Sequence, residues 1–155
     1  MGGLCFFAHG TSHSAGVMIL FNRFPGSIID GKWDTEGQWL MVVVEINDKR
    51  YILICIYGYN NKAANINLYA KLSQLINEWK TTYCSDKVIL GGDHNIAPDS
   101  WLDRIPHRYS QPVYDDTILN LCTTTCITDY WRTLNPTSVQ FTWYNSAGNG
   151  QCCRL

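Results

Sequence analysis

Two adjacent apolar runs are the feature that most limits what this chain can fold into. The first spans Trp39–Ile46, the second spans residues 51–57, and four polar residues join them. A polar connection of this length between two β-rich runs is typical of an antiparallel hairpin. Neither run alternates apolar with polar side chains, so both faces of each strand need cover. The sequence therefore predicts two central strands of a layered fold.

The segments around this hairpin complete an α/β pattern. Apolar side chains recur every three or four residues from 65 to 83, which predicts an amphipathic helix. The order strand, strand, helix, strand predicts a layered α/β sandwich whose sheet is partly antiparallel. The remaining predicted elements are a buried strand at 16–23, a buried strand at 87–90 ended by Gly91-Gly92, a long loop at 93–115, a short helix at 116–122, a strand at 139–144, a turn at 146–150 and the start of a strand at 152.

Composition narrows the class of protein. At 155 residues and 46% apolar content, the chain is expected to form a single domain with its own core. The net charge of −1 argues against a wholly basic nucleic-acid coat, although it leaves room for a local basic patch. Seven irregularly spaced cysteines make a poor disulfide framework and suit a reducing compartment. No signal peptide or membrane-length apolar run is visible, so we expect an intracellular protein without a membrane partner.

The densest group of chemically useful residues follows the predicted strand at 87–90. Asp93 is a candidate general base or metal ligand, and Asn95 is placed to orient it or to hold a phosphate oxygen. The glycines before Asp93 would let the backbone approach a ligand closely. The alternative is a plain turn, because glycine, aspartate and asparagine are common turn residues.

A second group lies at another predicted strand end, and a third lies between residues 127 and 143. Tyr57 and Asn60 have a hydroxyl and an amide three residues apart, both able to donate to one phosphate. Asp129 and Arg132 have the spacing of an ion pair that anchors a loop. Thr142 and Trp143 are candidates for contact with a nucleic-acid backbone and groove. The alternative is that the aromatic residues of this group simply belong to the core. The remaining candidates are Arg104, for a DNA phosphate, and His94, which we interpret as structural.

Taken in order, these groups resemble the endonuclease/exonuclease/phosphatase family of metal-dependent phosphodiesterases. Within that family they resemble the endonuclease domain of LINE-type retrotransposons, related to the apurinic endonucleases. The resemblance covers about residues 15–155. It is carried by the strand from Gly16, by Tyr57-Gly58-Tyr59-Asn60, by Gly91-Gly92-Asp93-His94-Asn95, by Asp129-Tyr130-Trp131-Arg132 with Asn135-Pro136, and by Phe141-Thr142-Trp143.

The resemblance implies a fold and a mechanism. The fold would be a four-layer α/β sandwich with mixed sheets. Asp93 would activate the attacking water, Asn95 would orient Asp93, and Tyr57 and Asn60 would bind the phosphate. A magnesium ion would neutralise the phosphate and the leaving oxygen. The implied activity is the nicking of DNA, with Thr142 and Trp143 on the DNA backbone and groove, and with a nuclear location if the chain is functional.

The chain also departs from the family pattern. The family places an Asn and a metal-binding Glu before the Gly16 strand, where this sequence has neither and offers only His9 and His13. The family also continues beyond the position of Leu155 with an Asp and a Ser-Asp-His motif. We therefore expect a single partial domain, truncated at both ends, without a metal site of its own.

These departures keep other functions open. On chemical grounds we favour a catalytically inactive remnant or nucleic-acid-binding scaffold for the chain as given, with the active nuclease as the competing hypothesis. A phosphatase acting on a phosphoinositide or another phosphodiester is a third. Exposed sheet edges would favour self-association. A zinc site formed by Cys122, Cys126, Cys152 and Cys153 has atypical spacing and is disfavoured.

Overall fold

The computed structural model describes residues 3–11, 14–107, 115–145 and 151–154. Within these ranges the chain forms β-strands and α-helices in a mixed order. They are β1 (Leu4–Ala8), β2 (Val17–Phe21), β3 (Ser27–Trp33), β4 (Trp39–Ile46), β5 (Lys49–Tyr57), α1 (Lys62–Thr82), β6 (Val88–Asp93), β7 (Arg104–Ile105), α2 (Asp116–Thr125), α3 (Tyr130–Leu134), β8 (Trp143–Tyr144) and β9 (Cys152–Cys153). None of the helices in these ranges is long and apolar enough to cross a membrane.

A four-stranded sheet in the order β3-β4-β5-β6 contains the predicted hairpin. Strands β3, β4 and β5 are antiparallel neighbours, whereas β5 and β6 run parallel. The first six residues of β4 are at most 2% exposed, so both faces of this strand are covered as its unbroken apolar run predicts. The sheet is therefore mixed, in agreement with the sequence.

Strands β1 and β2 form a separate antiparallel pair. The inner face of this pair packs against one face of β4, where Ala8, Val17 and Phe21 join Leu40, Val42 and Val44 in one core cluster. The strand expected at 16–23 forms, but it is buried on one face only, because Met18 and Leu20 are 56% and 63% exposed. The strand has one covered and one open face.

The chain divides into two compact units. The first unit comprises residues 1–59 and 74–93 and contains β1 to β6. The second unit comprises residues 60–73 and 94–155 and contains α2, α3 and a three-stranded sheet in the order β7-β9-β8.

Several predicted boundaries shift for local reasons. Helix α1 begins before residue 65 because the side chain of Asn61 accepts a hydrogen bond from the Ala64 N–H at 3.1 Å and caps it. Strand β6 does not end at Gly91-Gly92 but continues through both glycines to Asp93. The strand expected at 139–144 contracts to β8, and the long loop contains β7. Positions 108–114 of that loop and the turn at 146–150 lie outside the described residues.

Candidate functional site

Two of the predicted catalytic residues, Tyr57 and Asp93, meet at one edge of the four-stranded sheet. They end the parallel strands β5 and β6 and are partners in the strand register. The Gly58 N–H donates to the Asp93 carbonyl oxygen at 2.7 Å and extends the pairing one step past Tyr57. Both side chains are partly buried. The carboxyl ends of parallel strands are where α/β proteins commonly place ligands.

The backbone before Asp93 requires glycine. Gly92 has φ +133°, and a Cβ built on it would lie 2.0 Å from the carbonyl oxygen of Ile56 on the adjacent strand. Side-chain-bearing residues rarely adopt this φ and cannot tolerate this distance to backbone. Gly92 therefore allows β6 to stay paired with β5 up to Asp93.

The turn between β3 and β4 reaches the same sheet edge and contains a carboxylate that the sequence analysis did not single out. Tyr57 N–H donates to the Gln38 carbonyl at 2.7 Å. The hydroxyl of Tyr59 donates to Glu36 Oε2 at 2.6 Å. This hydrogen bond favours the protonated phenol and, with burial and the nearby acidic charges, raises the pKa of Tyr59 to about 12. No local signal in the sequence links Glu36 to Tyr59, because the contact depends on strand register.

The Tyr59 phenol should ionise late in an alkaline titration. Because its pKa is raised on folding, its hydrogen bond favours the folded chain below about pH 10 and this contribution is lost as the pH rises toward 12. We expect Glu36→Gln to return one of the nine tyrosines to ionisation near pH 10, measured by ultraviolet absorbance of phenolate. An unchanged titration curve would contradict the Tyr59–Glu36 contact.

The other two predicted catalytic residues belong to the second unit. Asn60 is exposed and immediately precedes the Asn61 cap of α1. Asn95 is partly buried and has φ +50°, a left-handed conformation that asparagine tolerates better than most residues. Between Asp93 and Asn95, His94 places Nδ1 2.7 Å from the hydroxyl of Tyr69, which is 2% exposed. This contact agrees with the structural interpretation of His94.

The three predicted nucleic-acid-binding residues come together on the three-stranded sheet. Arg104 in β7 and Trp143 in β8 are both register partners of Cys153 in β9. Directly paired residues point to the same face of a sheet, so these side chains share one row. The Thr142 N–H donates to the Cys153 carbonyl at 3.1 Å beside that row. Thr142 and Trp143 are exposed and Arg104 is half-buried.

A buried ion cluster holds the base of this sheet. The Asp103 carboxylate has no exposed surface and pairs with the guanidinium groups of Arg132 and Arg154. The Arg154 Nε–Asp103 Oδ1 distance is 2.7 Å, and the Arg154 N–H also donates to the Asp103 carbonyl at 2.9 Å. Asp103 therefore connects the start of β7 to α3 and to the residue after β9.

Asp129 and Arg132 contact each other, but not through the predicted ion pair between their side chains. Asp129 caps α3 by accepting from the Arg132 N–H at 2.9 Å, whereas the Arg132 guanidinium turns to Asp103. Asp129 pairs instead with Arg154 at 2.7 Å, and the Trp131 ring lies under both guanidinium groups. Burial opposes ionisation of Asp129, but the backbone hydrogen bond and the Arg154 ion pair outweigh it and lower the pKa.

The described residues do not provide a ready-made metal cage. No group of three or more His, Cys, Asp or Glu side chains in the described ranges is placed to hold one ion. Cys122, Cys126, Cys152 and Cys153 do not form such a group, and no disulfide bond joins the described cysteines. His9 packs against Phe7, and His13 lies outside the described residues.

Comparison with known proteins agrees with the resemblance drawn from the sequence. No family model matches the chain. The chain is 25% identical over 142 residues to a Xenopus laevis protein described as "Transposon TX1 uncharacterized 149 kDa protein". The match covers 91% of this chain but 10% of that protein, so the chain spans about a tenth of its relative.

The fold is similar to a solved structure described as "Endonuclease domain of TRAS1, a telomere-specific non-LTR retrotransposon". The TM-score is 0.62 at 13% identity, and the alignment covers all of this chain and 65% of that domain. The predicted mixed α/β class and the likeness to a LINE-type endonuclease domain are therefore confirmed, at the level of fold. The four-layer arrangement stays a prediction.

Proposed function

We propose that this chain forms the phosphate-handling part of a retrotransposon-type DNA endonuclease that nicks one strand by hydrolysis. The observation that carries the proposal is the register pairing of Tyr57 with Asp93 at the carboxyl ends of parallel strands. This pairing supports the proposal because it brings a tyrosine and an aspartate to neighbouring strand ends, on the side of the sheet where α/β folds commonly bind ligands. The likeness in fold to a retrotransposon endonuclease domain supports a nuclease-like role.

The role proposed for each residue follows from the chemistry of its side chain. Asp93 accepts a proton from the water that attacks phosphorus, which makes the water a stronger nucleophile. Tyr57 and Asn60 donate hydrogen bonds to phosphate oxygens as negative charge builds up in the transition state. By the family resemblance, Asn95 would orient the Asp93 carboxylate. As the water oxygen bonds to phosphorus, the phosphorus–oxygen bond to the sugar breaks and the leaving oxygen takes up a proton from solvent.

Magnesium belongs to this proposal through the resemblance alone. When bound, it would neutralise charge on the phosphate and on the leaving oxygen. Asp93 is a carboxylate at the proposed site, but the described residues form no three-ligand group beside it. We therefore assign no step to the ion. The plasmid assay tests whether nicking requires magnesium. A nuclear location is proposed only if DNA proves to be the substrate.

The direct test is nicking of supercoiled plasmid in magnesium and in EDTA. Replacing Asp93 by asparagine keeps the size of the side chain but removes the proton acceptor, so we expect magnesium-dependent nicking to fall by about 100-fold or more. Asp86→Asn is the matched control, because the Asp86 side chain is 91% exposed and pairs only with Lys80 among the ion pairs of the described residues. Equal nicking by wild type and Asp93→Asn would refute the assignment.

The second candidate is a catalytically inactive nucleic-acid-binding scaffold. It is favoured by a specific observation: Arg104 and Trp143 share one register row on the three-stranded sheet, a surface that can contact DNA without a catalytic group. If this candidate is correct, we expect monodisperse wild-type protein to give no nicking in magnesium and still to bind labelled duplex DNA. Release of phosphate from a phosphoinositide under the same conditions, without nicking, would support the third hypothesis instead.

A further inference from the structure

An exposed tryptophan lies in the segment that leads into β7. Trp101 is 44% exposed, although tryptophan side chains are on average highly buried. It belongs to the second unit, three residues before Arg104. Trp101 is not among the residues assigned above to catalysis or to DNA contact. Its exposure raises the question of what the ring binds.

The backbone that presents Trp101 is fixed by buried carboxylates. Asp99 is 5% exposed, and its Oδ1 accepts from the N–H groups of Trp101 at 2.8 Å and Leu102 at 3.0 Å. The Asp99 N–H donates to Asp103 Oδ2 at 3.0 Å, and Asp103 is itself held by two arginines. The ring is thus carried on an ordered turn, which lowers the conformational entropy that binding would cost.

A second ring, that of His107, stacks on Trp101 and covers part of one of its faces. The Trp101 and His107 rings stack with their centroids 5.3 Å apart and an angle of 26° between their planes. We call these two rings the aromatic platform. Arg104 lies between them in the chain and shares the register row of Cys153 and Trp143. The two acidic residues of this segment, Asp99 and Asp103, are 5% and 0% exposed, whereas the side chain of Arg104 is only half-buried.

We propose that the aromatic platform binds an unpaired nucleobase of a DNA strand, with Arg104 beside the strand's phosphates. Flat bases stack on aromatic rings without regard to sequence, and a neighbouring arginine complements the phosphodiester. An apolar peptide would not require the positive charge. The proposal rests on the proposed function in one respect, that DNA is the ligand. It adds a preference for an unstacked base, which is implied neither by the Tyr57–Asp93 pair nor by the DNA contacts proposed for Thr142 and Trp143.

The test is binding of a fluorescein-labelled 15-nucleotide oligothymidylate, followed by fluorescence anisotropy in EDTA. We expect Trp101→Ala to weaken binding by about 5- to 100-fold, the range found for the loss of one base-stacking contact. Trp101→Phe should recover most of the affinity because it keeps a ring. Trp33→Ala is the matched control, since Trp33 is 52% exposed but lies in the first unit. Thermal melting by circular dichroism confirms that each variant is folded.

The outcomes separate base stacking from contact with the DNA backbone and from a general loss of exposed aromatic surface. Unchanged affinity in folded Trp101→Ala would overturn the proposal, and so would an equal loss in Trp33→Ala. A loss that is as large for a fully paired duplex as for oligothymidylate would assign Trp101 to the backbone and overturn the preference for an unpaired base. Because the measurement needs neither magnesium nor turnover, a failure of nicking leaves it unaffected, and a failure here leaves Asp93 untouched.

Discussion

Replacing Asp103 by alanine is expected to lower the free energy of unfolding by about 3–5 kcal/mol. The carboxylate is fully buried and neutralises Arg132 and Arg154, whose side chains are only 18% and 15% exposed. Without it, two largely desolvated guanidinium groups lose their shared counter-charge, and the start of β7 loses its connection to α3. Urea denaturation followed by circular dichroism measures the change, with the slope of the transition compared between variants.

Glu45→Ala is the control for this experiment. Glu45 also pairs with an arginine, Arg50, but the two side chains are 32% and 42% exposed. Solvent screens such a pair, so we expect its loss to cost about 1 kcal/mol or less. A cost below about 1 kcal/mol for Asp103→Ala would mean that the buried cluster is not a stabilising element of the second unit.

The second large effect is expected at Gly92. Alanine there would combine a φ of +133° with a Cβ 2.0 Å from the Ile56 carbonyl oxygen, so β5 and β6 would have to separate. We expect a loss of about 3 kcal/mol or more in the free energy of unfolding, because backbone strain and the broken strand pairing both contribute. The same urea titration measures it.

Gly91→Ala is a closely matched control. The two glycines are adjacent in β6, but a Cβ built on Gly91 meets nothing within 4 Å. We expect this variant to lie within about 0.5 kcal/mol of wild type, or to be slightly more stable because alanine restricts the unfolded chain. Similar losses for both variants would show that the parallel pairing near Asp93 does not depend on the conformation of Gly92.

The parts of the fold that follow from local sequence pattern were predictable. Unbroken apolar runs identify β4 and β5, and the change of period identifies α1, because each signal depends only on near neighbours. Strand β3 was missed because its sequence includes Asp30, Gly31 and Lys32, which are poor strand formers. It forms as an edge strand, where pairing with β4 outweighs that preference.

The same distinction applies to the candidate site, where features with a local sequence signal were predictable and long-range contacts were not. Motif spacing in the sequence singled out Tyr57 and Asp93, and the structure places them side by side through strand register. The Glu36–Tyr59 contact and the burial of Asp103 have no such local signature, since their partners are distant in the chain. The spacing of Asp129 and Arg132 suggested a direct ion pair, but competition from Asp103 and Arg154 redirects both side chains. A rule based on the spacing of two residues cannot predict a cluster of two aspartates and two arginines.

The long separation between Asp103 and Arg154 has a consequence for the order of folding. These partners are 51 positions apart, which is farther than any pair of register partners in the four-stranded sheet. Closing a long loop costs entropy before the contacts at its ends can offset it. We therefore expect the four-stranded sheet to form first and the β7-β9-β8 sheet to form late. A nascent chain would then hold Tyr57 beside Asp93 before Arg104 and Trp143 meet across Cys153.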